Sequence, residues 1–142
     1  MPSPVFRENY YASLGSLHKY QTGTASSTAA SLIAAVTGKK IQIKAFRFTM
    51  AWDYSATAAA DTALNQAWLA DGSTALLHLG VTPGVDTTTV VADAKDLKYD
   101  SGMVILPSAG VKGTAATAIN IDFTTTSTIL TYSIDVWYDT VD

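Results

Sequence analysis

The sequence predicts an all-β protein: an antiparallel β-sandwich or jelly roll of roughly seven or eight strands, with an extended N-terminal arm. Three observations carry that reading. Apolar and polar residues alternate over residues 118–124 and again over 128–141. Asp71-Gly72 stands between two apolar-rich runs, as in a tight hairpin. Turn residues punctuate the rest at short intervals, and no long stretch keeps a helical period.

Residues 1–27 form the arm. They hold Pro2, Pro4, Phe6, Tyr10, Tyr11 and Tyr20, and end in Thr-Gly-Thr-Ala-Ser-Ser. Neither a helical nor an alternating period survives there, so the arm is either a strand extension or a segment that orders on a partner. The sandwich domain follows as residues 28–142. Residues 31–36 read as a strand, Thr37-Gly38 as a turn, and residues 39–52 as a long strand. Within that strand Ile41, Ile43 and Ala45 share one phase, whereas Phe46, Phe48, Met50 and Trp52 share the other. A slip of one residue turns every side chain over, so a β-bulge or a change of sheet is expected at Ala45-Phe46.

Residues 54–63 fit a helix or a loop. Residues 65–70 and 74–80 are the two strands of the Asp71-Gly72 hairpin. Val90-Val91 reads as a brief strand, residues 93–100 as a solvated loop or one helical turn, and residues 103–106 as a short buried strand stopped by Pro107. Gly110 and Gly113 bracket a turn. Residues 118–124 point Ile119, Ile121 and Phe123 inward. Residues 128–141 place Leu130, Tyr132, Ile134, Val136 and Tyr138 on one face, with Asp135 and Trp137 on the other.

A chain of 142 residues fits one domain and needs no covalent staple. Charged residues are 15%, against about 25% in an average domain, and the formal net charge is −3. That balance argues against a nucleic-acid binder, which carries a basic excess to neutralise phosphates. The longest small and apolar run, residues 29–36, falls far short of the roughly 20 residues of a membrane helix, so no membrane partner is expected. The N-terminus lacks a secretory apolar core, so synthesis and assembly in a cytoplasm are expected. There are no cysteines, so no redox compartment can be read.

Chemistry is thinly provided for, and no catalytic residue, metal site or cofactor is expected. His78, between Leu77 and Leu79, reads as a partly exposed strand residue without a carboxylate or second histidine beside it. His18 in the arm reads the same way. No Gly-x-Ser-x-Gly elbow supports a hydrolase. Glu8 is the one glutamate, and the aspartates fall mostly at turns, without calcium-loop spacing. Lys39, Lys40, Lys44 and Arg47 form a basic cluster, read as edge-strand protection against aggregation or as docking to an acidic surface. Gly38-Lys39-Lys40 lacks the earlier glycine of a phosphate loop. Trp52, Trp68 and Trp137 read as core or subunit-interface residues, or as platforms for sugar rings.

Residues 32–43, Leu-Ile-Ala-Ala-Val-Thr-Gly-Lys-Lys-Ile-Gln-Ile, resemble an opening found in small β-sandwich virion proteins of tailed bacteriophages. Asp-Gly-Ser-Thr-Ala-Leu at 71–76 is similar to the hairpin that follows in those proteins. Ala-Ile-Asn-Ile-Asp-Phe at 118–123, before the tyrosine-bearing strand at 130–134, is similar to their ending. The resemblance spans residues 31–138 and departs in the segment 54–63 and the aromatic arm. It implies a jelly-roll virion protein, often trimeric, in head decoration or in a tail or fibre. The expected function is therefore a structural, non-enzymatic capsid decoration (cement) protein on the outer surface of the virion. It would bind as a homotrimer over junctions of the major capsid protein and stabilise the head. Phe6, Arg7, Tyr10, Tyr11 and Tyr20 are the expected capsid contacts, and Trp52, Trp68 and Trp137 the expected subunit interface. The alternative is a tail- or fibre-associated module that recognises host glycans through exposed tryptophans.

Overall fold

The structure is a computed structural model and describes residues 15–52, 65–82, 98–107, 110–127 and 130–142. Among the described residues ten strands run in chain order: β1 (Leu17–Thr24), β2 (Ala30–Ile33), β3 (Lys40–Trp52), β4 (Asn65–Asp71), β5 (Thr74–Thr82), β6 (Lys98–Asp100), β7 (Val104–Ile105), β8 (Val111–Lys112), β9 (Ile119–Phe123) and β10 (Leu130–Val141). The larger sheet is ordered β1-β10-β3, with β6, β7 and β8 paired in succession along the far side of β3. The smaller sheet is ordered β2-β9-β4-β5. Every pairing is antiparallel.

The pairs are nested. β1 meets β10, β2 meets β9, β3 meets β6–β8, and β4 meets β5, with successive pairs alternating between the two sheets. The hairpin closes at Gly72-Ser73, between the paired residues Asp71 and Thr74. Gly72 occupies the first central position at φ +62°, the left-handed value that a two-residue hairpin turn matching strand twist requires there. The Asp-Gly signal thus marks the hairpin, with Asp71 as the last strand residue rather than part of the turn.

The two inner faces meet in one apolar core. Ile41, Ile43, Phe46, Phe48, Met50, Ile134 and Val136 come from the larger sheet, and Leu69, Ile119, Ile121 and Phe123 from the smaller. Phe48 is fully buried, with its ring 6.3 Å from Phe123 across the sandwich and 6.4 Å from both Tyr132 and Tyr99. Burying each such side chain contributes about 1.5–3 kcal/mol, so this inward stripe is what holds the sheets together.

The expected slip in β3 is present. Trp137 pairs with Ala45 but Tyr138 with Ile43, leaving Lys44 as the extra residue of a bulge. The bulge returns the chain to phase. Ile41 and Ile43 before it, and Phe46, Phe48 and Met50 after it, all enter the same core. Ala45, fully buried but outside that core, moves to the outer face opposite Trp137.

Residues 17–24 of the arm form β1, paired along its whole length with β10, which is the strand-extension reading for that part. Other expectations change. Residues 98–100, expected in a loop or helical turn, are β6. The strand before Pro107 is not buried: Val104 is partly covered and Ile105 is 43% exposed. Between Gly110 and Gly113 the chain makes strand β8 rather than a simple turn. Residues 54–63 and Val90-Val91 lie outside the described residues.

Candidate functional site

The outer face of the larger sheet is built from alternate residues of β1, β10 and β3. Cross-strand pairing sets two rows. One runs Tyr20, Asp135, Arg47; the other runs His18, Trp137, Ala45, Ile105. Arg47 donates to Asp100 of β6 through Nη2 at 2.7 Å and Nε at 3.3 Å, a two-point grip. That hydrogen bond, then the Gly102 N–H, holds the Asp100 carboxyl below its ordinary range and pushes Arg47 up. His18 Nε2 lies 2.8 Å from Asp135 Oδ1, and its ring stacks on Trp137 with centroids 4.8 Å apart. The expectation that His18 lacks a carboxylate neighbour is overturned. Asp135 is 117 positions away in the chain and is delivered by the β1–β10 register.

The root of β1 is fixed on the same face. Ser16 donates its backbone N–H and its hydroxyl to Asp139 Oδ1, each at 2.7 Å. The N–H bond leads in holding the Asp139 carboxyl below its usual range, with smaller help from the Ser16 hydroxyl and the charge of Lys44. Gly15 packs on the backbone of Tyr138 at φ +94°, and a Cβ there would collide with that backbone. This fixes the chain direction where residue 15 enters the sheet. Thr49 and Ser133 share a hydrogen bond across β3 and β10.

Three of the four residues of the basic cluster stand near carboxylates, and the edge-strand reading is overturned because β3 lies between β10 and β6–β8 inside the larger sheet. Lys39 meets Asp142, Arg47 meets Asp100, and the bulge brings Lys44 to the side of Asp139. Lys39, Lys44 and Arg47 therefore do not form an uncompensated patch for an acidic partner. The ion pairs are exposed, and pairs of that kind add little to stability.

Trp68 and Trp137, the two tryptophans with described side chains, do not converge. Trp137 lies on the outer face of the larger sheet, and Trp68 on the outer face of the smaller one, since Ala67 and Leu69 beside it face the core. The side chain of Trp52 lies outside the described residues. So do Phe6, Arg7, Tyr10 and Tyr11. Tyr20 is on β1, 56% exposed.

His78 faces away from buried Leu79, as expected, and is exposed. It stands opposite Trp68, which in turn stands opposite Asp122. Beside this row lies an open groove of about 370 Å³ lined by Gln66, Trp68, Ala75, Leu76, Leu77 and His78. The sequence singled out Trp68 and His78 but not the groove, which lies where the β4–β5 pairing has two irregularities that spacing does not reveal.

Among the described residues, no three His, Asp or Glu side chains are placed to hold a metal ion, and no helix is long and apolar enough to cross a membrane. Neither the scan against family models nor the search of curated proteins finds a match for this chain.

Proposed function

We propose that the protein is a structural virion component, a capsid decoration protein with jelly-roll connectivity, that docks on the major capsid protein through the outer face of its larger sheet. One observation carries the reading: that face joins exposed aromatic and apolar groups to the fixed root of the N-terminal segment. Tyr20, the His18–Trp137 stack and Ile105 present apolar area. Arg47 is ion-paired with Asp100, and Asp135 is held against the His18 ring nitrogen. Protein interfaces favour this composition, with aromatic groups enriched and unpaired charge scarce at the centre. Gly15, at the entry to edge strand β1, packs on the backbone of Tyr138 beside this face. An arm carrying Phe6, Arg7, Tyr10 and Tyr11 and a flat face acting together give avidity even where each contact is weak. The nested strand order supports the jelly-roll assignment, and the short motifs shared with phage virion proteins support the partner. A homotrimer belongs to the same reading.

The test is binding to heads that lack the protein. The chain beginning at Gly15 keeps all ten strands, and should fold as the full chain does but sediment with heads far more weakly. Tyr20→Ala with Trp137→Ala should reduce head binding in the full-length chain. Undiminished binding by both variants overturns the docking model. Light scattering of the purified protein measures the trimer directly.

A further inference from the structure

We infer that the groove on the outer face of the smaller sheet is a binding site for a neutral sugar. A pyranose ring would lie on the indole of Trp68, with Gln66, His78 and Asp122 meeting its hydroxyls. This goes beyond head docking, uses the opposite face of the sandwich, and is read out independently of it.

Four features of the groove support the inference. The first is its construction. Ala67 pairs with Gly80 but Trp68 with His78, and Leu69 pairs with Leu77 but Ala70 with Ala75. Leu79 and Leu76 are therefore extra residues on β5, two bulges enclosing the Trp68–His78 pair. Bulges bend a strand and re-aim its side chains, and they gather beside functional sites. Here they leave an open hollow where a regular ladder would be flat.

The second feature is size. About 370 Å³ sits at the small end of small-molecule sites, which run roughly 300–1,000 Å³, and suits one or two sugar rings. The third is the lining. The C–H face of a pyranose is apolar and packs on an indole, while its hydroxyls leave the ring edge and need both donors and acceptors. Trp68, Leu76 and Leu77 supply the apolar floor. Gln66 offers an amide and His78 an imidazole, and Asp122, outside the lining but paired opposite Trp68, offers a carboxylate that accepts. Asp122 is held in place, because its Oδ1 takes the N–H of Phe123 at 2.9 Å.

The fourth is charge. Among the described residues lining the groove there is no lysine or arginine, and a carboxylate stands opposite its indole. A phosphate-bearing ligand such as a nucleotide would meet repulsion there, whereas a neutral glycoside loses nothing.

The experiment is a titration of the full-length, ¹⁵N-labelled chain with cellobiose, lactose and N,N′-diacetylchitobiose, followed by NMR, with glycerol as the control polyol. At least one disaccharide should give saturable shifts at the Trp68 indole N–H and the Gln66 side-chain amide at millimolar concentration, while glycerol gives none. Trp68→Ala should weaken that binding about tenfold or more, consistent with loss of a ring stack, and Trp68→Phe should retain part of it. If the alanine variant does not fold, Trp68→Phe and Asp122→Asn carry the test, each weakening binding on a native spectrum. Absence of saturable shifts with all three sugars overturns the inference. So does undiminished affinity in the Trp68 variants.

Discussion

The two outer faces of this sandwich are made from similar residues and put them to different uses. On the larger sheet, His18 is tied to Asp135, Arg47 to Asp100 and Ser16 to Asp139, and Trp137 is covered by an imidazole. On the smaller sheet, Trp68 lies between His78 and Asp122 and borders a hollow. An indole, an imidazole and a carboxylate occur on both. What differs is the ladder beneath them. The β1–β10 register runs without a slip and brings His18 against Trp137, whereas the β4–β5 register slips twice around Trp68. Backbone register, more than composition, decides whether such a trio closes on itself or opens to a ligand.

The largest expected effect tests what the two faces share. Phe48 belongs to the larger sheet and leans on Phe123 of the smaller. Phe48→Ala should cost about 3–5 kcal/mol in chemical denaturation, lowering the protection of β10 and β4 amides together. Loss of protection in only one sheet would show the faces to be independent units.

A smaller effect isolates the smaller sheet. Buried Asn65, at the start of β4, donates Nδ2 to the Thr125 carbonyl at 3.1 Å and accepts the Thr125 N–H at 3.4 Å. Asn65→Ala should cost about 1–3 kcal/mol, because backbone groups of the loop after β9 are left unpaired. Amide exchange in residues 124–127 reads the change, and it should leave the His18–Trp137 stack intact.

The smallest effect is confined to the larger sheet. The Asp139 carboxyl is lowered in the folded chain, chiefly by the Ser16 N–H. A lowered carboxyl adds stability above its unfolded value of about 3.9, and that stability disappears as pH falls through the folded value. The Ser16 amide shift, followed from about pH 6 to pH 2, should therefore titrate with a midpoint below the ordinary aspartate range. Asp139→Asn should remove the titration and loosen the first residues of β1. A midpoint at or above the ordinary value contradicts the contact.

How much of this could be read in the sequence depended on what each element buries. β9 and β10 alternate because one of their faces meets the core. The bulge in β3 showed itself because five large apolar residues had to reach that core in spite of a phase slip. β1 was hidden for the opposite reason. It is an edge strand with almost every residue exposed, so no burial imposes a period on Leu17–Thr24. β6, β7 and β8 are two or three residues long and are held by pairing to β3, which leaves no pattern in their own side chains. The His18–Asp135 contact joins residues 117 apart, and the groove beside Trp68 depends on register slips, so neither follows from spacing.

The proposal that the chain is a head decoration protein is tested most directly by quantitative mass spectrometry of phage particles purified from the source of the sequence. The account predicts a copy number in fixed, near-stoichiometric proportion to the major capsid protein. A few copies per particle, or none, would contradict it.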